Sequence, residues 1–246
     1  GRITIELTGG VDASPFRITA QSGGSGIYRQ SIGASITTAS LETFQHYAIK
    51  FENTGSNSLR TRLYVNGVLE DTNVVVGALS ELNSKNMIGR LGALQTAPSG
   101  AAPVASILPA TMAGYGKLSA SVDEFRFWKE ARSANDIARH YFNQIRGGTN
   151  TDISNTTLGV YYKFNEGITQ TSSVDSTVLD YSGRISNGTW TGYGTNSRNT
   201  SSAIVLANAS DTEYRDPIIY STHPDVSSVK TGLLNSGSYH DANNNN

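Results

Sequence analysis

Retaining hydrolysis of a glycosidic bond needs two carboxyl groups about 5 Å apart, and a strand would supply them as alternating acids on one face. No such E-x-D-x-x-E pattern occurs. The nearest acids, Asp123 and Glu124, are adjacent, so a strand would send them to opposite faces. The histidines (His46, His140, His223 and His240) are scattered without metal-ligand spacing, and structural or exposed roles are expected for them. There is no G-x-S-x-G elbow and no phosphate loop, and Ser182-Gly183 is expected as a turn. The absence of cysteine removes thiol nucleophiles, thiolate metal sites and disulfides. What remains is recognition chemistry. Stacking on a sugar ring needs a flat aromatic face beside polar groups. Tyr115, Trp190 and Tyr193 lie in or near loops, with Asn187 close in sequence to Trp190. Trp190 has a packing alternative at a sheet edge, whereas Trp128 sits among strand-end residues and is expected in the core.

Composition says what must position these residues. The chain has 246 residues, 37% hydrophobic and 16% charged, with 25 glycines. Low charge and many turn-forming and β-branched residues favour short strands joined by loops over helical bundles. The formal net charge of −1 gives no electrostatic pull on nucleic acid or anionic membranes. No run approaches the roughly 18 apolar residues that a spanning helix needs. Gly1 falls in a strand-like run and the chain ends DANNNN, from which we expect a segment of a longer protein.

Alternation marks the strands. Ile3, Ile5 and Leu7 alternate with Thr4 and Glu6, then Phe16, Ile18 and Ala20 with Arg17 and Thr19. Ile27 to Ile36 is looser and is broken by Gly33. Tyr47, Ile49 and Phe51 share one face, as do Leu63 and Val65, while Arg62, Tyr64 and Asn66 take the other. Asn66-Gly67 predicts a type I′ hairpin, since both residues tolerate positive φ. Residues 94–116 have no period and read as a long surface loop, either functional or an uninvolved insertion. Ser133 to Ile145 predicts the single helix, with Ser133 as cap, Asp136 near its positive end and Ile137, Tyr141 and Ile145 on one stripe. Gly147-Gly148 should end it. Residues 158–192 add strands, and 193–246 read as a polar connector.

Several of these pieces form an ordered set: Tyr47, then Tyr64-Val65-Asn66-Gly67, Ile88-Gly89, Asp123-Glu124-Phe125-Arg126-Phe127 and the helix from Ser133. In that order, over about residues 40–192, the chain resembles laminin-G-like modules of the concanavalin A-like superfamily. A second set, Tyr162-Lys163-Phe164-Asn165-Glu166-Gly167 followed by Asp180, Ser182-Gly183 and Asn187-Gly188, is similar to the opening of such modules. Here it follows the helix, so it either begins a truncated repeat or, as we expect, returns to supply edge strands of the first sandwich. Asn187-Gly188-Thr189-Trp190 is similar to the end of a sialidase Asp-box but lacks the preceding Asp.

The resemblance implies an all-β, concanavalin A-like jelly-roll sandwich of two antiparallel sheets with one short α-helix, over residues 1–192. It also implies a rim able to hold Ca²⁺ through Asp, Asn and backbone oxygens. Asp180, Asn187 and Asp123 are the candidates, with Asn165 weaker. The alternative is that Asp180 caps the turn at Ser182-Gly183 and Asp123 bonds a loop backbone. The stretch RDPIIYSTHPDV and the YHDANNNN end are similar to segments of long virion proteins of tailed phages. Together these imply a non-catalytic structural or adhesion module of a phage tail or baseplate protein. Its partners would be other virion subunits, in a homo- or hetero-oligomeric assembly. The alternative is a lectin-like domain that recognises bacterial surface glycans, with or without Ca²⁺. Neither nucleic acid nor membrane insertion is expected.

Overall fold

The computed structural model describes residues 2–8, 14–22, 25–55, 57–79, 88–93, 98–99, 106–107, 117–145, 157–166, 169–192 and 194. These all lie in the first of the two units into which the chain divides, Gly1–Ala203 and Ile204–Asn246. Strands β1 (Arg2–Leu7), β2 (Phe16–Ser22) and β3 (Ser25–Ile32) form one antiparallel sheet in that order, and β4 (Tyr47–Thr54), β5 (Ser58–Val65) and β6 (Val68–Val76) form another. The alternating apolar positions explain why the sheets stack. Phe16, Ile18 and Ala20 of β2, Ile27 and Ile32 of β3, and Leu59 and Leu63 of β5 are buried together. Tyr47, Ile49, Phe51, Val65 and Val75 pack against them. Removing such a side chain from water is worth about 1.5–3 kcal/mol. This two-sheet core is the architecture that the resemblance implies.

Polar ties lock the sheets at one end. Asp71 Oδ2 accepts from the backbone N–H of Gly33 at 2.8 Å and of Ala34 at 3.2 Å, and Glu70 Oε1 accepts from Ser35 N–H at 2.7 Å. The acids of β6 thereby satisfy the turn that follows β3, whose donors would otherwise lack a partner. Near the same end, the hairpin at Asn66-Gly67 has φ of 48° and 80°, as a type I′ turn requires.

The remaining elements form smaller pairs. They are β7 (Pro98–Ser99) with β8 (Ser106–Ile107), β9 (Phe125–Trp128) with β10 (Leu158–Tyr162), and β11 (Thr177–Val178) with β12 (Gly188–Thr189). Helix α1 (Ala134–His140) lies between β9 and β10 in the chain, and a short helical turn, α2 (Ser172–Asp175), precedes β11. Ile145, Leu158 and Tyr161 form a second buried cluster with Trp128 and Tyr181 packed against it. Trp128 is half-buried there, with the Arg132 guanidinium 4.3 Å from its ring centroid.

Several expectations need correction. The helix stops at His140 rather than near residue 145, because the Arg126 guanidinium donates to the carbonyls of His140 and Asn143 and closes the last turn. Ser133 does cap it, accepting from Asp136 N–H at 3.1 Å. Tyr64 is buried despite lying opposite Leu63, because β5 and β6 slip register between these residues and α1 packs on β6. Among the described residues, strand β10 pairs with β9 and with neither three-stranded sheet, and it closes a separate small core. A second helical turn, α2, accompanies the one expected helix. Most of the long loop 94–116 and all of the connector 193–246 except Gly194 lie outside the described residues. Among the described residues, no helix is long and apolar enough to cross a membrane.

Candidate functional site

Three of the residues singled out for recognition or metal binding, Asp180, Asn187 and Trp190, lie in the segment that follows β10. There, Asp180 is surrounded by donors. Its Oδ1 accepts from Tyr161 N–H and Ser182 N–H, each at 2.9 Å, and its Oδ2 from Ser186 N–H at 2.9 Å and the Ser182 hydroxyl at 2.8 Å. Asp180 N–H in turn donates to Asn187 Oδ1 at 2.9 Å. Burial alone would raise the Asp180 pKa. The N–H groups of Tyr161, Ser182 and Ser186 and the Ser182 hydroxyl outweigh it and hold the carboxyl below its ordinary value.

This arrangement clamps a strand edge. The ladder of β9 and β10 shifts register between Leu158 and Val160, which leaves backbone groups of β10 to be paired elsewhere. The turn provides the partners. Arg184 Nε donates to the Leu158 carbonyl at 2.7 Å, the Ser182 hydroxyl to that of Gly159 at 3.3 Å, and Tyr181 N–H to that of Tyr161 at 2.8 Å. The D-x-S-G segment therefore acts as a cover for the free edge of β10.

A calcium ion needs oxygen lone pairs directed at it. Both Asp180 oxygens, and Asn187 Oδ1, already face N–H or O–H donors, so this set does not fit Ca²⁺. Asp180 instead caps the turn. Asp123 is half-buried just ahead of β9, and among the described residues no three of His, Asp and Glu gather where they could hold a metal. Asn187 is exposed and Trp190, after β12, is half-buried with its backbone N–H on the Ser176 carbonyl at 2.7 Å. Tyr115 and Tyr193, the other aromatic candidates, lie outside the described residues.

Glu124 was expected on a strand face opposite Asp123. It actually precedes β9 with φ 53°, in the left-handed region, and its side chain is only 8% exposed. It accepts from the Tyr161 hydroxyl at 2.5 Å, Gln144 Nε2 at 2.9 Å and Arg126 Nη2 at 3.4 Å. Arg126 is 7% exposed and lies 5.1 Å from the Tyr161 ring centroid, on which Lys163 also stacks. Burial, with the Glu124 carboxylate adding to it, raises the Tyr161 phenol well above its usual range, so it stays a hydrogen-bond donor. The D-E-F-R spacing was the available signal. Alternation along a strand does not reveal that Glu124 breaks from it or that Arg126 reaches the end of α1.

His46 sits beside this network, its ring 5.8 Å from that of Tyr141. Burial first, and the Arg126 charge second, depress its pKa to about 4. Near neutral pH it is an uncharged packing group.

Two stacked antiparallel sheets, with polar turns carrying the candidate residues, define an all-β sandwich module in which Asp71, Glu124 and Asp180 accept hydrogen bonds from its own backbone and side chains. A laminin-G-type family model, described as the concanavalin A-like lectin/glucanases superfamily, matches residues 1–138. That is more than half of the chain, which therefore belongs to this family. The match includes both three-stranded sheets and most of α1, while β10 and the Asp180 turn lie beyond it. Domains of this kind are generally non-catalytic and fit carbohydrate-binding or structural roles. No curated protein and no solved structure matches the chain.

Proposed function

We propose that this domain is a non-catalytic structural and adhesion module of a tailed-phage virion protein, of the tail or baseplate, that packs against neighbouring subunits. One observation carries this: strand β1 presents a core-type apolar row that the described residues leave exposed. Ile3, Ile5 and Leu7 pair with Ala20, Ile18 and Phe16 of β2 and so share the face that packs on the second sheet. Yet they are 52%, 47% and 39% exposed. Among the described residues strand β1 is also the edge of its sheet, with one row of backbone groups that no described strand pairs. An exposed apolar edge strand invites pairing with another chain, and folds that stay monomeric usually blunt it with charge or proline. The virion context rests on the phage-like segments at the end of the chain.

The test is a photoreactive side chain at position 5 of the parent protein in assembled particles, with position 185, which is 83% exposed, as a control. Position 5 should capture a neighbouring subunit. Cross-links confined to the same chain would overturn the proposal. A second reading, glycan recognition, has the exposed Asn187 close in sequence to the half-buried Trp190 in its favour. Saturable binding on a glycan array that is lost in Trp190→Ala would establish it.

A further inference from the structure

The outer face of the β4–β5–β6 sheet carries positive charge that the described residues do not neutralise. Strand pairing sets Lys50 opposite Arg62 and Glu52 opposite Arg60. The three cations share one carboxylate oxygen, with Arg62 Nη1 at 3.1 Å, Lys50 Nζ at 3.5 Å and Arg60 Nη1 at 3.8 Å from Glu52 Oε2. Among the described residues Glu52 is the sole ionic partner of each. Like charges directly across a strand pair are destabilising, and a single carboxylate cannot offset both the Lys50–Arg62 repulsion and the charge of Arg60. The local excess is positive on a chain whose net charge is −1. That excess calls for an anion from outside.

The same face is apolar along β6. Val74 stands opposite Arg60, and Val76 opposite Ser58, with exposures of 54% and 77%. Its aromatic residue, Tyr64, is buried, so these three strands offer no free ring on which a sugar could stack. Arginines on β5 beside open valines on the edge strand β6 match an extended segment that carries both acidic and apolar side chains.

We propose that the outer face of β5 and β6 docks an extended protein segment of a neighbouring subunit that carries both acidic and apolar side chains, the subunit context resting on the function proposed above. Arg60 and Arg62, whose side chains are 32% and 26% exposed, receive its carboxylates, and Val74 and Val76 its apolar side chains, while Lys50, 11% exposed, stays on Glu52. This surface is separate from β1, and the test leaves β1 unchanged.

The test is an NMR titration of the whole chain with a short alternating Glu–Val peptide. Parallel arms use an alternating Ser–Val peptide, polygalacturonate and a duplex DNA oligonucleotide. Shifts should appear at β4–β6 amides, and affinity should fall with added salt. The double variant Arg60→Ala/Arg62→Ala should bind about tenfold or more weakly. Glu52→Gln, which removes the competing carboxylate, should bind more tightly. Equal binding of the Ser–Val peptide, no binding of the Glu–Val peptide, or weaker binding by Glu52→Gln would overturn the proposal. So would tighter binding of polygalacturonate or DNA to this face.

Discussion

Replacing Gly67 with alanine tests how the hairpin and the helix are joined. Gly67 has φ +80°, and a Cβ added there would lie 2.7 Å from Tyr141 Cδ1 and 2.9 Å from the Cα of Ala138. Two costs follow. A side chain in the left-handed region costs about 1–2 kcal/mol, and forcing a methyl into a packed contact costs about 1–3 kcal/mol. The Ala138 atom is helix backbone, so relief requires α1 to move away from β6. We expect Gly67→Ala to lose about 2–5 kcal/mol, which for a chain of this size lowers Tm by roughly 5–15 °C. Gly55→Ala separates the two terms, because Gly55 has φ +62° with nothing within 4 Å of the added Cβ. It should lose only about 1–2 kcal/mol. Urea unfolding of both variants, followed by circular dichroism and tryptophan fluorescence, reads the difference. If the two losses agree within about 0.5 kcal/mol, the helix does not bear on the turn as described and the reasoning fails.

Other expectations can be checked on the same footing. His46 titrates near 4 when folded and near 6.5 when unfolded. Its neutral form therefore favours the fold above the unfolded value, and that stability should be lost as pH falls from about 6.5 to 4, by up to about 3 kcal/mol. Urea midpoints across that range should show the loss, and His46→Gln should flatten it. Arg126→Ala takes the cationic partner from the buried Glu124 carboxylate and leaves the end of α1 uncapped, so a loss of about 3 kcal/mol or more is expected. Hydrogen exchange should then be fastest at residues 137–143. Asp180→Asn turns an acceptor of N–H groups into a donor and should cost about 1–3 kcal/mol. It should leave the two-sheet core intact, with near-unchanged protection in β2 and β5. Removal of Ca²⁺ by a chelator should leave the melting temperature unchanged, since Asp180 and Asn187 spend their oxygens on protein donors.

The sheets were legible because alternation is a local property. Any strand that buries one face must repeat its apolar residues with period two, so Phe16, Ile18 and Ala20 or Leu59 and Leu63 announce themselves. The Asn66-Gly67 turn and the Ser133 cap were legible for the same reason, since both depend on neighbours within a few residues. The turn at Asp180 was half legible. Its D-x-S-G chemistry signals a cap, but the same oxygens could have served a cation, and only the positions of Tyr161 and Ser186 decide between them.

By itself, then, the sequence determined the all-β class, the hairpin, the start of the helix and the lack of a paired-acid catalytic pattern. Each follows from residue type and short-range spacing. The tertiary structure alone decided that α1 ends at His140, that β10 builds a second core with β9, that Glu124 and Arg126 are buried together, and that Ile3, Ile5 and Leu7 stay exposed. Each of these depends on what lies across space from a residue. An apolar row is written identically in the chain whether a second sheet covers it or leaves it bare, and an arginine is written identically whether it faces water or closes a helix some fourteen residues away.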